Sequence, residues 1–314
     1  VIGGHLLSSA SWQDQVGCQR DWIWRGWRIR YAYSRPGLSL SSRPSYPMLF
    51  LHGFGASIGH WRYNLAVLSQ THTVYALDLL GFGGSEKAIA PYNTQLWVDL
   101  VYDFWKTFIR EPVILVGNSI GSLVSLMVAS QDPKLAKGLV LISLPDPGLQ
   151  LEMLPPWAIP VVEKVQNVVA SPPVLRLFFA LARRPSFIRR WVKLAYNNPD
   201  AITDELVDIL VTPALERGAA RAFCSILKMM GNPRLGPTVK SLFPQLTVPI
   251  LLVCGLQDRL IPVKFANPRQ YLQYYSQLKL VELENAGHCA HDECPERVNG
   301  EILTWMNENF DDYC

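Results

Sequence analysis

Two rhythms of hydrophobic positions alternate along this chain. Short apolar runs at 48–51, 73–77, 113–116, 139–143, 250–253 and 279–283 are too brief for helices. They read as strands buried on both faces. Between them, 60–68, 95–109, 121–130, 263–278 and 295–309 carry the spacing of amphipathic helices. Segments 22–24 and 27–33 alternate around Arg25-Gly26, as a hairpin does. Strands alternating with helices predict an α/β chain: a mainly parallel, eight-stranded sheet with helices on both faces and an antiparallel hairpin at one edge.

The rhythm changes between residues 146 and 236. Helical patterns at 160–169, 174–182, 188–195, 203–211 and 218–230 are broken by prolines, and no strand pattern intervenes. The expected organisation is a core of residues 1–145 and 237–314 with a helical cap of 146–236 inserted into it. Ligands bind at the carboxyl edge of open α/β sheets, so a cap there would shape a substrate pocket.

Composition supports an ordered globular chain. Of 314 residues, 49% are hydrophobic and 18% charged, against about 25% charged in an average domain. The net charge of +3, without like-charge blocks, gives no basis for nucleic-acid binding. Residues 112–131 hold no charge and could span a bilayer. Gly117-Asn118-Ser119-Ile120-Gly121 lies in their middle, so a buried strand followed by a buried helix accounts for them. Residues 1–7 are too short and interrupted for a secretory signal. The start at Val1 leaves room for a targeting segment ahead of it. Cysteines 18, 224, 254, 289, 294 and 314 show neither disulfide-framework nor zinc spacing. They point to a reducing, intracellular compartment. No metal or cofactor is expected, and Cys254 and Cys289 read as small core or bystander residues.

Gly117-Asn118-Ser119-Ile120-Gly121 matches G-x-S-x-G between a strand and a helix, the setting of a nucleophile elbow. A serine hydroxyl needs a base. His288, just past the final strand, is favoured over His291, three residues further on. The base needs a carboxylate to orient it. Asp258, after the 250–253 strand, is favoured over Asp146, which lies where the cap begins. The order Ser119, Asp258, His288 suits this fold. Oxyanion donors would be the backbone N–H groups of Ile120 and of Phe54 in His52-Gly53-Phe54-Gly55. Gly81-Phe-Gly-Gly-Ser85 lacks P-loop spacing, and Lys87 is not followed by Ser or Thr. It reads as a loop making room near the site.

The cap is apolar and basic together. Trp157, Phe178 and Phe179 are its candidate pocket residues. Between 150 and 196 the acids are Glu152 and Glu163, against Lys164, Arg176, Arg183, Arg184, Arg189, Arg190 and Lys193. A plain amphipathic helical domain would look like this. So would a cap that takes a lipophilic group and touches an anionic membrane.

Three segments, Leu51-His-Gly-Phe-Gly-Ala-Ser57, Leu80-Gly-Phe-Gly-Gly-Ser-Glu-Lys87 and Gly287-His-Cys-Ala-His-Asp-Glu-Cys-Pro-Glu-Arg-Val-Asn299, resemble the pheophytinase and chlorophyll dephytylase-like α/β-hydrolases of plants and cyanobacteria. Asn198-Pro-Asp-Ala-Ile-Thr-Asp-Glu-Leu206 in the cap is similar too. The resemblance runs from Leu51 to Asn299. It implies the α/β-hydrolase fold and cleavage of a phytyl ester by a Ser-Asp-His triad, with Ser119 and His288 on motif positions and Asp258 matching by place. It also implies a cyanobacterial cytoplasm or chloroplast, with a peripheral position at the thylakoid. Ser122 stands where many relatives have glycine, and Ala290 where proline is common.

The resulting expectation is a monomeric serine hydrolase of a bulky hydrophobic ester. A carbon–carbon bond hydrolase of ring-cleavage products would share Gly-Asn-Ser-x-Gly and the triad. A hydrolase-fold binding protein with little or no turnover is the third reading.

Overall fold

The computed structural model describes residues 11–37, 46–148, 172–232 and 236–310. Eight strands form one sheet: β1 (Cys18–Trp24), β2 (Trp27–Ser34), β3 (Met48–Leu51), β4 (Val74–Leu77), β5 (Val113–Asn118), β6 (Ala136–Ile142), β7 (Ile250–Gly255) and β8 (Leu278–Leu283). Their order is β1-β2-β4-β3-β5-β6-β7-β8. The β1–β2 and β2–β4 pairs are antiparallel and the others parallel. The sequence thus gives an α/β sheet with the hairpin at its edge. That hairpin begins four residues earlier than its apolar pattern, because Cys18 to Asp21 is mostly exposed and shows no clean alternation.

Alternation within each strand builds two cores. Leu49, Leu51, Leu77, Leu115, Leu139, Leu141 and Leu252 face one side, with α2 (Thr94–Phe104) and α3 (Ile120–Gln131) packed on them. Met48, Phe50, Val74, Ile114, Val116, Val140 and Val253 face the other, under α1 (Arg62–Leu68) and α8 (Pro295–Phe310). Burying each such side chain fully contributes about 1.5–3 kcal/mol, which is why these positions are apolar on both faces.

Between β6 and β7 the described residues form helices: α4 (Pro172–Ala182), α5 (Pro185–Val192), α6 (Asp204–Val211) and α7 (Ala219–Met230). Thr203 caps α6 by accepting the Leu206 N–H at 3.1 Å. Ala222 and Ile226 of α7 join the main core. Val192, Tyr196, Leu206 and Val207 make a small core of their own that includes Cys289. The helix expected at 160–169, and Trp157, lie outside the described residues.

One expected helix is corrected. Residues 263–278 hold a single α turn, Val263–Ala266, and then a 3-10 segment, Pro268–Gln273. Asn267 adopts a left-handed backbone (φ 38°) and Pro268 follows it, so the α-helical ladder stops there. Among the described residues no helix is long and apolar enough to cross a membrane.

Candidate active site

Strand register gathers the chemistry at one edge. Leu51 pairs with Leu77 and Gly117, Asn118 with Ile142, Ile142 with Val253, and Gly255 with Leu283. The segments just past these ends therefore emerge together: 52–55, Asp78, Ser119, Asp258 and His288.

Ser119 sits between β5 and α3 with φ 54° and ψ −118°, a conformation non-glycine residues rarely adopt. Close packing enforces it. A Cβ on Gly121 would lie 2.1 Å from the Leu51 oxygen, and one on Gly117 would lie 2.4 Å from the Gly121 carbonyl carbon. The Ser119 N–H donates to the Ile142 oxygen at 2.8 Å. Ser122, the departure from glycine, is fully buried. Its hydroxyl lies 2.7 Å from the Gly117 oxygen and 2.9 Å from the Ile142 oxygen, and it accepts the Ile142 N–H at 3.0 Å. It stitches the elbow to β6. Ser119 itself is half-buried and stays reachable.

His288 Nδ1 lies 2.7 Å from Asp258 Oδ2, both residues being buried. Asp258 Oδ1 accepts the N–H groups of Leu260 and Ile261, each at 2.8 Å. With one oxygen fixed by two amides, the other is free to hold the imidazole Nδ1–H, which leaves Nε2 as the basic nitrogen. Asn118 Nδ2 donates to the His288 oxygen at 3.1 Å, and the His288 N–H donates to the Ala195 oxygen of the cap at 2.7 Å. The histidine is thus tied to both the elbow and the cap.

The alternatives are placed differently. Asp146 accepts the N–H groups of Gly148 (3.0 Å) and Val239 (3.2 Å) and the Tyr271 hydroxyl (3.1 Å). His291 is fully buried against the His60 and Trp61 rings, and burial pushes its pKa well below that of an ordinary histidine. His60 Nε2 lies 2.7 Å from the Tyr196 hydroxyl, which donates to Asp292 at 2.6 Å. Burial brings His60 down to about 3. Arg62 completes that network, donating to Asp292 at 2.7 Å and to Glu205 of the cap at 2.9 Å. Cys289 is buried, and burial holds its thiol well above the usual range, the opposite of what a nucleophilic thiolate needs. Burial likewise pushes Cys254 up to about 12. The five cysteines among the described residues are free.

The loop after β3 approaches the elbow closely. A Cβ on Gly53 would stand 3.4 Å from Ser119 Cβ. Among the described residues no acceptor meets the Phe54 N–H, and Ile120 is the first residue of a helix, whose N–H has no intrahelical partner. Two donors are therefore available beside Ser119. His52 serves the backbone: Nε2 accepts the Leu79 N–H at 3.0 Å and Nδ1 lies 2.7 Å from the Gly53 oxygen. Burial lowers it to about 4.

The glycine-rich loop is occupied by its own chain. Asp78 accepts the N–H groups of Ile58 (2.7 Å) and Gly84 (2.6 Å), and burial raises it to about 6. Lys87 Nζ donates to the oxygens of Gly83 and Ser85 and meets Glu216 of the cap at 3.0 Å. The loop sets Phe82 edge-on to Phe54 at 5.6 Å. Phe223 of α7 lies 5.8 Å from Phe54 and 4.9 Å from Phe179. Phe179 is buried and Phe178 is partly exposed. The ring facing Phe54 from the cap is Phe223, which the sequence reading did not single out. Among the described residues no three His, Cys, Asp or Glu side chains converge as a metal site requires.

A model of the alpha/beta hydrolase family matches residues 48–301. The chain belongs to the alpha/beta hydrolase family. Among the relatives of this family member is pheophytinase, chloroplastic, of Arabidopsis thaliana, 26% identical over 89% of this chain. The chain spans 64% of that protein's length. Another is the 2-hydroxy-6-oxo-6-(2'-aminophenyl)hexa-2,4-dienoic acid hydrolase of Metapseudomonas resinovorans, 26% identical over 84% of this chain and 85% of its own. A serine hydrolase involved in carbazole degradation superposes with a TM-score of 0.73 at 23% identity, covering 93% of this chain and 99% of its own. That likeness shows the shared hydrolase fold.

Proposed function

We propose that this hydrolase cleaves the carboxylic ester of a bulky hydrophobic substrate through an acyl-serine intermediate. The phytyl ester of a chlorophyll-type pigment is the favoured member of that class, in a chloroplast or cyanobacterial cytoplasm. The observation that carries the reading is the 2.7 Å His288–Asp258 contact, with Asp258 Oδ1 held by two amides, at the sheet edge where Ser119 forms its strained elbow.

In this mechanism His288 Nε2 takes the Ser119 proton as Oγ attacks the ester carbonyl. Asp258 stabilises the imidazolium and fixes the tautomer. The N–H groups of Phe54 and Ile120 receive the charge that develops on the carbonyl oxygen. His288 returns the proton to the departing alkoxide, and the alcohol leaves. It then activates water to release the acid from Ser119. The rings of Phe54, Phe82, Phe179 and Phe223 support an apolar substrate.

A second reading is favoured by the dienoic acid hydrolase relative: cleavage of a carbon–carbon bond in a ring-cleavage product. The readings separate in one assay. Pheophytin, p-nitrophenyl esters of rising chain length and a vinylogous diketo acid are offered to the parent and to Ser119→Ala. The ester reading expects acid release that favours long apolar groups and is lost in the variant. Turnover confined to the diketo acid would overturn it.

A further inference from the structure

Helix α4 carries two apolar stripes. Leu175 and Phe179 are buried. Val174, Leu177, Phe178 and Leu181, at positions three and four apart, lie on another side and face water, with Leu177 69% exposed. The next helix and the residues after it continue this second stripe through Phe187, Trp191 and Leu194, with Trp191 52% exposed. Phe178 meets Phe187 edge to face at 5.9 Å, and Phe187 stacks on Trp191 at 6.3 Å. The exposed stripe of α4 and its continuation through α5 are therefore one apolar ridge, and a ridge of this kind marks an interaction surface.

The charge beside it selects the occupant. Residues 172–198 contain six basic side chains and no acidic one. Arg183, Arg184, Arg190 and Lys193 are exposed, and none of them forms an ion pair among the described residues. Arg189 is the one that does, with Asp204. A second copy of this face would set like charge against like. A lipid bilayer with anionic headgroups complements both features, since apolar side chains enter the headgroup boundary while bases meet phosphates.

The ridge also leads inward. Phe178 lies 6.2 Å from Phe223, which lies 5.8 Å from Phe54 beside Ser119. We propose that this face of the cap docks on an anionic lipid bilayer, and that the rings of Phe178, Phe223 and Phe54 guide a lipid-soluble ester from the bilayer to Ser119. The guiding step rests on the ester-hydrolase reading; the docking step stands without it.

The test is co-sedimentation of the full chain with phosphatidylcholine vesicles, with and without phosphatidylglycerol, at low and high salt. Fluorophosphonate labelling and p-nitrophenyl butyrate turnover are followed in parallel. Binding should be at least about tenfold stronger to the anionic vesicles and weaken with salt. Leu177→Asp with Trp191→Asp should lose at least about tenfold in binding. Arg183→Glu with Arg184→Glu should abolish the anionic preference. All variants should keep the parent's labelling and soluble-ester turnover, which also reports that they fold. No binding to either vesicle, or equal binding by parent and variants, overturns docking. A vesicle-free dimer seen in sedimentation would then assign the ridge to a second copy. Loss of labelling and turnover in the parent with vesicle binding intact would instead overturn the hydrolase reading alone.

Discussion

At the scale of the residue, the choice between two carboxylates turns on who holds whom. Asp258 and Asp146 both follow strands, and a linear pattern does not say which carboxylate meets an imidazole. Asp146 spends its oxygens on Gly148, Val239 and Tyr271, whereas Asp258 leaves one oxygen 2.7 Å from His288. This division of labour makes a prediction. Asp258→Asn must set its NH2 either against the two backbone N–H donors or against His288 Nδ1; opposing one donor costs less than opposing two, so Nδ1 becomes the acceptor and the His288 tautomer is reversed. Turnover should fall by about 10⁴-fold with the melting temperature little changed; retention within about tenfold of the parent would contradict the role given to Asp258. His288 and Ser119 were legible because strand ends and glycine spacing are local signals. Phe223 was not, because an aromatic on an amphipathic helix looks the same in sequence whether it fills a core or faces a substrate. Asn118 was named only as a motif letter, and its hold on the His288 backbone spans 170 positions.

Among the elements, the join between cap and base loop stands out. Glu293 accepts N–H groups from Gly287 at 2.7 Å, from Asn197 at 2.8 Å and from Asn198. One carboxylate thus binds the segment that carries Ala195 to the loop that carries His288. Hydrogen bonds to a charged group contribute about 1.5–3 kcal/mol each when buried. Because Glu293 is only half-buried, Glu293→Ala should lower unfolding stability in urea by about 2 kcal/mol. It should also slow soluble-ester turnover, mainly in kcat. A variant as stable and as fast as the parent would remove this tie. Helix and strand elements were largely readable from periodicity, with one instructive exception. The apolar spacing of 263–278 suits a helix, yet Asn267 and Pro268 end the ladder after one turn. Backbone chemistry at two residues outweighed the side-chain pattern around them.

For the whole molecule, the sheet order and the cap explain why residues 53 to 288 meet at one place. Parallel pairing aligns the carboxyl ends of β3 to β8, and the helical segment between β6 and β7 is tied to the residues around them through Ala195, Glu205 and Glu216. The sequence carried this arrangement as alternating strands and helices with one helical interruption. It could not carry the cap's shape, which depends on contacts such as Arg62–Glu205 and Lys87–Glu216 between distant segments. The central claim is that this architecture activates Ser119. Its most direct test is to treat the folded protein with a fluorophosphonate probe and map the modified residue by mass spectrometry. The account predicts a single adduct on Ser119 that disappears in Ser119→Ala. An unlabelled parent, or labelling elsewhere that persists in Ser119→Ala, would contradict it.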